Sequence, residues 1–131
     1  MGALIVQSGR IVLIKRGHAP LLGEWSIPGG MLELGETVRQ GTEREALEET
    51  SLRVRATELL GVFDRVVLDA QKRILYHYVL VDFLCELVSG ELQASGDAAD
   101  GRWFTRKEVE ALPLASDTAE VVRRALSKSG S

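Results

Sequence analysis

"GMLELGETVRQGTEREALEETSL", residues 30–52, sets a glycine-bearing loop against a helix with glutamates at 45, 48 and 49. The helix is well signalled over about 38–50. Thr37 and Gln40 form a capping box in which each side chain satisfies a backbone N–H of the other. At 100° per residue, Glu45 and Glu49 lie about 40° apart and Glu48 about 60° further round, so all three share roughly 100° of arc. Val38 and Leu52 project into the same arc, so this is not plainly a solvent face. Carboxylates held so close repel one another and raise each other's pKa unless a positive charge sits among them. A divalent metal is the simplest such charge, and Mg²⁺ suits two or three carboxylates with a phosphate oxygen.

By itself "EREALEET" reads as a solvated helix with pairs such as Arg44–Glu48, each worth only about 0.2–0.5 kcal/mol. The preceding loop shifts the balance. "PGGMLELGET" places Gly29, Gly30 and Gly35 just before the capped helix, where backbone can approach a ligand and helix N–H groups can meet an anion.

Outward from this stretch, "ALIV" and "RIVLIK" flank "QSG" and predict a hairpin over 3–15. "GHAPLLGEWSIPGG" (17–30) reads as loop with a short extended piece. Strands are expected at 52–56 and 59–67, with "DAQK" (69–72) as a turn. "RILYHYVLVDFLCELV" (73–88) is the longest strand candidate. Its apolar residues occupy both faces, which predicts a central strand covered on both sides. A loop at 95–101 leads into "RWF"; Thr105 and Glu108 then cap a short helix limited by Pro113. "SDTAEVVRRALS" reads as a terminal helix, and the tail "KSGS" is expected to fray. The order is mixed α and β with antiparallel hairpins, an α+β pattern rather than alternating βαβ units.

The 131 residues are expected to form one domain over 1–131, long enough to bury a core. Hydrophobic residues make up 45% and charged residues 27%, a soluble globular balance, and the net charge is −3. That charge gives no electrostatic case for nucleic acid or an anionic membrane. The one cysteine, Cys85, excludes an internal disulfide and a multi-cysteine zinc site. The opening "MGALIVQSGR" has too short an apolar run for a signal peptide, and no stretch reaches membrane-spanning length, so the expected location is cytoplasmic. The chain begins directly at the first strand, which leaves room for an upstream segment.

The combined stretch resembles the Nudix box of the Nudix pyrophosphohydrolases. That pattern runs Gly, five residues, Glu, seven residues, Arg-Glu-apolar, one residue, Glu-Glu, one residue, Gly-apolar. Gly30, Glu36, Arg44, Glu45, Ala46, Glu48, Glu49 and Leu52 stand at the required spacings, and Ser51 stands where the family has glycine. "LIKRGHAPLLGEWSIPGG", "HYVLVDF" and "DAADGRWF" are similar to neighbouring family segments, as in members called ADP-ribose pyrophosphatases. The resemblance covers about residues 3–112.

It implies the Nudix fold, a mixed β-sheet sandwiched between helices (α/β/α). It implies that Glu45, Glu48 and Glu49, helped by the Gly30 carbonyl, hold Mg²⁺ or Mn²⁺, and that Arg44 and Glu36 pair to brace the loop. Glu45 and Glu48 are the box candidates for the general base beside Arg44. Asp97 or Asp100 is the alternative, since some members take an acid from a later loop. The implied reaction is cleavage of a nucleoside diphosphate linked to another moiety, with ADP-ribose or a nucleotide sugar first. Nucleoside triphosphate clearance is the alternative, and a non-catalytic nucleotide-binding sensor is the reading from another class.

Arg16 and Lys15 end a strand before the binding loop, where one of them could reach a phosphate. Trp25 and Trp103 are read as packing residues, His77 as a hydrogen-bonded core histidine, and Cys85 as inert packing. Gly41 in mid-helix costs about 1 kcal/mol relative to Ala. The partner is a small nucleotide; a homodimer stays open, because the apolar strands serve core or interface equally well.

Overall fold

The computed structural model describes residues 1–18 and 22–128. Part of the expected 17–30 loop and most of the tail, 129–131, lie outside the described residues. The elements run β1 (Gly2–Gln7), β2 (Arg10–Arg16), β3 (Trp25–Ser26), α1 (Val38–Thr50), β4 (Arg53–Leu68), β5 (Ile74–Ser89), β6 (Ala98–Thr105), α2 (Arg106–Glu110) and α3 (Ser116–Lys128).

The β1–β2 hairpin turns on Ser8 and Gly9, both at positive φ, which suits a two-residue connection between twisted strands. The sheet order is β3-β2-β1-β5-β4, with β6 pairing β2. It is mixed: β1 runs parallel to β5, and the other pairings are antiparallel.

Alternation along the strands feeds two cores. Ala3, Ile5, Val12, Phe83 and Cys85 pack with Ala46 and Leu52 around α1. Leu4, Ile11, Leu13 and Phe104 pack with Val121, Val122 and Leu126 of α3. The helices therefore lie on opposite faces, and the expected α+β sandwich is the fold. Burial of the Cys85 thiol pushes its pKa up to about 12, in keeping with inert packing.

Three strand expectations change. The segments 52–56 and 59–67 form one long strand, because the irregularities at Ala56/Glu58 and Leu59/Gly61 shift register without ending the pairing with β5. The expected loop at 95–101 gives way at Ala98, where β6 begins to pair with β2.

The longest strand is covered on both sides only in part. From Asp82 to Cys85 it lies between β1 and β4, whereas residues 74–79 pair with β4 alone and are exposed. His77 is consequently not a core residue; half exposed, it meets the Asp64 carboxylate at 2.8 Å. No helix among the described residues is long and apolar enough to cross a membrane.

Candidate active site

Local sequence sets the position of the acidic helix. The Thr37–Gln40 capping box is formed in both directions, Gln40 N to Thr37 Oγ1 at 3.1 Å and Thr37 N to Gln40 Oε1 at 2.8 Å. Arg39 and Glu43 then reach the backbone of Ala56, at 2.6 and 2.8 Å, and pin α1 against β4.

At its other end α1 stops on Ser51, which is left-handed at φ 65°. That conformation costs a non-glycine residue about 1–2 kcal/mol. Ser51 Oγ donates to the Gln93 carbonyl at 2.9 Å, which offsets part of the cost. The departure from glycine is thus accommodated as strain in the turn after Thr50.

The segment before β6 closes over this helix end. Gln93 N donates to Thr50 O, Ser95 N to Glu49 O, and Ser95 Oγ to Glu48 O. Carbonyls left without partners by the end of the helix are satisfied from more than forty residues further along the chain.

Arg44 lies at the centre of the acids. Its Nε and Nη2 donate to the two Glu36 oxygens at 3.0 and 2.7 Å, and Nη2 also reaches the Met31 carbonyl at 3.0 Å. Nη1 donates to Glu45 at 2.8 Å and lies 3.3 Å from Glu48. The Arg44 guanidinium, with help from the Glu33 N–H, holds the Glu36 carboxyl down at about 2. Glu36 and then Glu45 hold the guanidinium pKa above its usual range. The structure thus brings Glu36, Arg44, Glu45 and Glu48 together as the box pattern implies.

Two glycines let side chains of the site lie close against the backbone. A Cβ on Gly30 would lie 2.5 Å from the Glu45 carboxylate. A Cβ on Gly41 would lie 2.6 Å from the Met1 side chain and 2.9 Å from the Glu36 carboxylate. The Glu36 carboxylate thus lies against the open side of the mid-helix glycine, which its helix-propensity cost alone does not reveal.

Glu49 has a different environment. It is buried, and one oxygen accepts the Gly29 N–H at 2.7 Å. Burial pushes its carboxyl up to about 7; the Gly29 N–H opposes this, the charges of Glu45 and Asp97 add to it, and Arg16 opposes it. The charges of Arg16 and Asp97 thus act on Glu49 from two other segments. Asp97 also meets His18 at 3.4 Å, and its carbonyl accepts the Gly17 N–H. Asp100 is engaged elsewhere, with the Gly101 N–H and Arg102. Of the two late acids, Asp97 is the one whose charge acts on Glu49.

Among the described residues, no three His, Cys, Asp or Glu side chains form a ready-made ion cage. Arg44 holds Glu45 and Glu48, while Glu49 stands apart against Gly29. The donors are nevertheless those a hard divalent cation needs: carboxylates beside the Gly30 backbone, one of them buried among like charges. The Gly30 carbonyl accepts from the Met1 amine at 2.7 Å.

The tryptophans pack against the core. Trp25 meets Phe104 edge-on, with ring centroids 5.1 Å apart, and Trp103 lies beneath the Arg10 guanidinium.

The family model for the NUDIX domain matches residues 1–125. The chain belongs to the Nudix hydrolase family. The curated ADP-ribose pyrophosphatase of Methanocaldococcus jannaschii is 34% identical over 121 residues, 92% of this chain and 68% of its own length. A MutT-like protein of Streptomyces ambofaciens is 34% identical over 108 residues, covering 82% of this chain and 63% of its own length. The chain thus spans about two thirds of each. The crystal structure of a MutT NUDIX hydrolase from Burkholderia pseudomallei superposes with a TM-score of 0.74 at 32% identity, covering 94% of this chain and 93% of that one.

Sequence reasoning about this Nudix chain missed the Gly29 N–H on Glu49 and the Ser95 clamp. The "PGG" stretch signalled a close backbone approach near the helix. Nothing in "ASGD" named its carbonyl partners.

Proposed function

We propose that this Nudix hydrolase is a Mg²⁺- or Mn²⁺-dependent pyrophosphohydrolase. It cuts the diphosphate of a nucleoside diphosphate linked to another moiety, with ADP-ribose or a nucleotide sugar as the best fit. The observation that carries this reading is the buried Glu49 carboxylate on the Gly29 N–H, one helical turn from Glu45, where the charges of Glu45 and Asp97 press on it and Arg16 offsets them in part.

Glu45, Glu48, Glu49 and the Gly30 carbonyl would hold the cation. A divalent ion, when bound, neutralises phosphate oxygens and lowers the pKa of water. The chain's own groups do the rest. Arg44 orients Glu45 and Glu48 while anchored to Glu36. Glu45 or Glu48 accepts the proton of the attacking water, with Asp97 as the alternative base. Arg16, whose charge already acts on Glu49, faces a phosphate of the substrate. Positioning and electrostatics supply most of the rate in phosphoryl chemistry. The partners are a small nucleotide and a second copy of the chain, with nucleic acid not among them, and the expected setting is the cytoplasm.

The substrate follows the name of the archaeal relative. The name "MutT-like" on another relative keeps nucleoside triphosphates as the second reading. The test is a substrate panel with product masses, with and without Mg²⁺. ADP-ribose should yield AMP and ribose phosphate. Glu48→Gln and Glu49→Gln should each lower kcat by orders of magnitude while the fold persists. Binding without turnover across the panel would make the protein a sensor, and near wild-type turnover of either variant in saturating Mg²⁺ would remove the metal assignment.

A further inference from the structure

The last carbonyls of α1 are taken in order. The Ser51 N–H closes the helix on the Leu47 carbonyl. Ser95 then engages two neighbouring carbonyls at once: its hydroxyl donates to Glu48 O, and its N–H donates to Glu49 O at 3.0 Å. The Gln93 N–H takes Thr50 O at 2.9 Å. Glu48 and Ser95 are both exposed, and at an exposed helix end water is enough to satisfy a free carbonyl. What the Ser95 hydroxyl adds there is therefore placement, not satisfaction.

The grip has a fixed footing, because the segment is tied down on its far side as well. Gly96 follows in the left-handed conformation at φ 60°, so close to the helix that a Cβ on it would lie 3.3 Å from Glu48 O. The Asp97 carbonyl then accepts the Gly17 N–H at 3.0 Å, and Ala98 pairs with Arg16 on β2. Between Ser95 and Ala98 the chain thus crosses from the acidic helix to the strand end that carries Arg16. The last turn of α1 is referenced through Ser95 to the sheet.

We propose that Ser95 is a positioning residue for the metal-binding face: by gripping the main chain of Glu48 and Glu49 together, it fixes the turn from which both carboxylates reach the cation. It acts through the two glutamates and touches neither the substrate nor the reacting atoms. The inference rests on the reading of Glu48 and Glu49 as cation ligands. Ser95 is singled out within its segment because Gln93 contributes only main-chain groups, which any residue but proline supplies, whereas a hydroxyl on Glu48 O requires serine or threonine.

The experiment is titration of the full chain with Mn²⁺, followed by the paramagnetic resonance of the free ion, which reads binding without turnover. Ser95→Ala should raise the Mn²⁺ dissociation constant by about tenfold, the lower end of the effect of losing a group that orients metal ligands. Ser95→Thr keeps the hydroxyl and should restore the constant. Val121→Ala, in the core on the other face of the sheet, lowers stability at a distance from the acids and should leave the constant unchanged. A Ser95→Ala protein that melts lower yet binds Mn²⁺ like the wild type overturns the positioning role. So does a threonine variant as weak as the alanine one, or an equal loss in Val121→Ala, which would trace the effect to stability. A wild type that binds no Mn²⁺ and turns over without divalent cations removes the metal reading itself, and this inference with it.

Discussion

Arg44 grips Glu36 through two N–H groups at 3.0 and 2.7 Å, across eight residues of chain, and so ties the glycine loop to the acidic helix. Lysine carries the charge without the fork and cannot hold Glu36, Glu45 and the Met31 carbonyl together. Arg44→Lys should leave the thermal midpoint nearly unchanged and lower kcat by about 10- to 100-fold, the usual effect of losing a group that orients metal ligands. Turnover against Mg²⁺ concentration checks this; an unchanged kcat would show that the brace is dispensable.

Glu49 supplies a readout independent of turnover. Above pH 7 its carboxyl is ionised and buried beside two negative groups, which penalises the metal-free fold. At pH 8, Mg²⁺ should raise the melting temperature of the wild type. Glu49→Gln should melt higher than the wild type in EDTA and gain little from Mg²⁺. Equal Mg²⁺ shifts in the two proteins would take Glu49 out of the metal site.

Asp82 lies on β5, away from the box, and is 5% exposed. Burial pushes its carboxyl up to about 6 from an ordinary 3.8; the Met1 amine opposes, Asp117 adds, and Arg65 opposes. Between those values the folded state holds more protons than the unfolded state, so this group lowers stability as pH rises. The penalty is absent below pH 4 and complete above about pH 6, where it amounts to up to about 3 kcal/mol. Asp82→Asn should remove that slope, which denaturant melts from pH 4 to pH 7 would resolve; a slope unchanged in the variant would contradict the assignment.

Ser51 separates strain from hydrogen bonding. Ser51→Gly relieves the left-handed backbone and loses the bond to Gln93, two effects of about 1 kcal/mol each that oppose one another. Its stability should therefore stay close to that of the wild type. Ser51→Ala keeps the strain and loses the bond, and should be destabilised by about 1 kcal/mol. If alanine proves as stable as glycine at this position, the strain account fails.

Helix α1 was legible to the residue because its signals are local: a capping box at Thr37, a 3.6-residue pattern, and the loop before it. The same held for the hairpin at Ser8–Gly9 and the second capping box at Thr105. The reading of β5 failed for a physical reason. Apolar residues on both faces of a strand describe a covered strand and a projecting ribbon equally well, and the placement of His77 failed with it. Asp82, the lone acid in the buried part of that strand, was a signal left unused. At the site, helix spacing put Glu45 and Glu48 within reach of Arg44, and the resemblance to the Nudix box implied the pairing of Arg44 with Glu36. The burial of Glu49 against Gly29, and the charges of Arg16 and Asp97 that act on it, depend on how distant segments pack, which no local pattern encodes.

The clamp of Gln93 and Ser95 on the last turn of α1 has a consequence in time. Synthesis delivers Glu45, Glu48 and Glu49 early, yet the residues that close their helix are added more than forty positions later. The long β4–β5 excursion must be made and paired in between, and closing so large a loop is slow compared with forming a helix. A growing chain therefore carries its full set of acids well before it has the means to fix them, and competence arrives as a late event of folding.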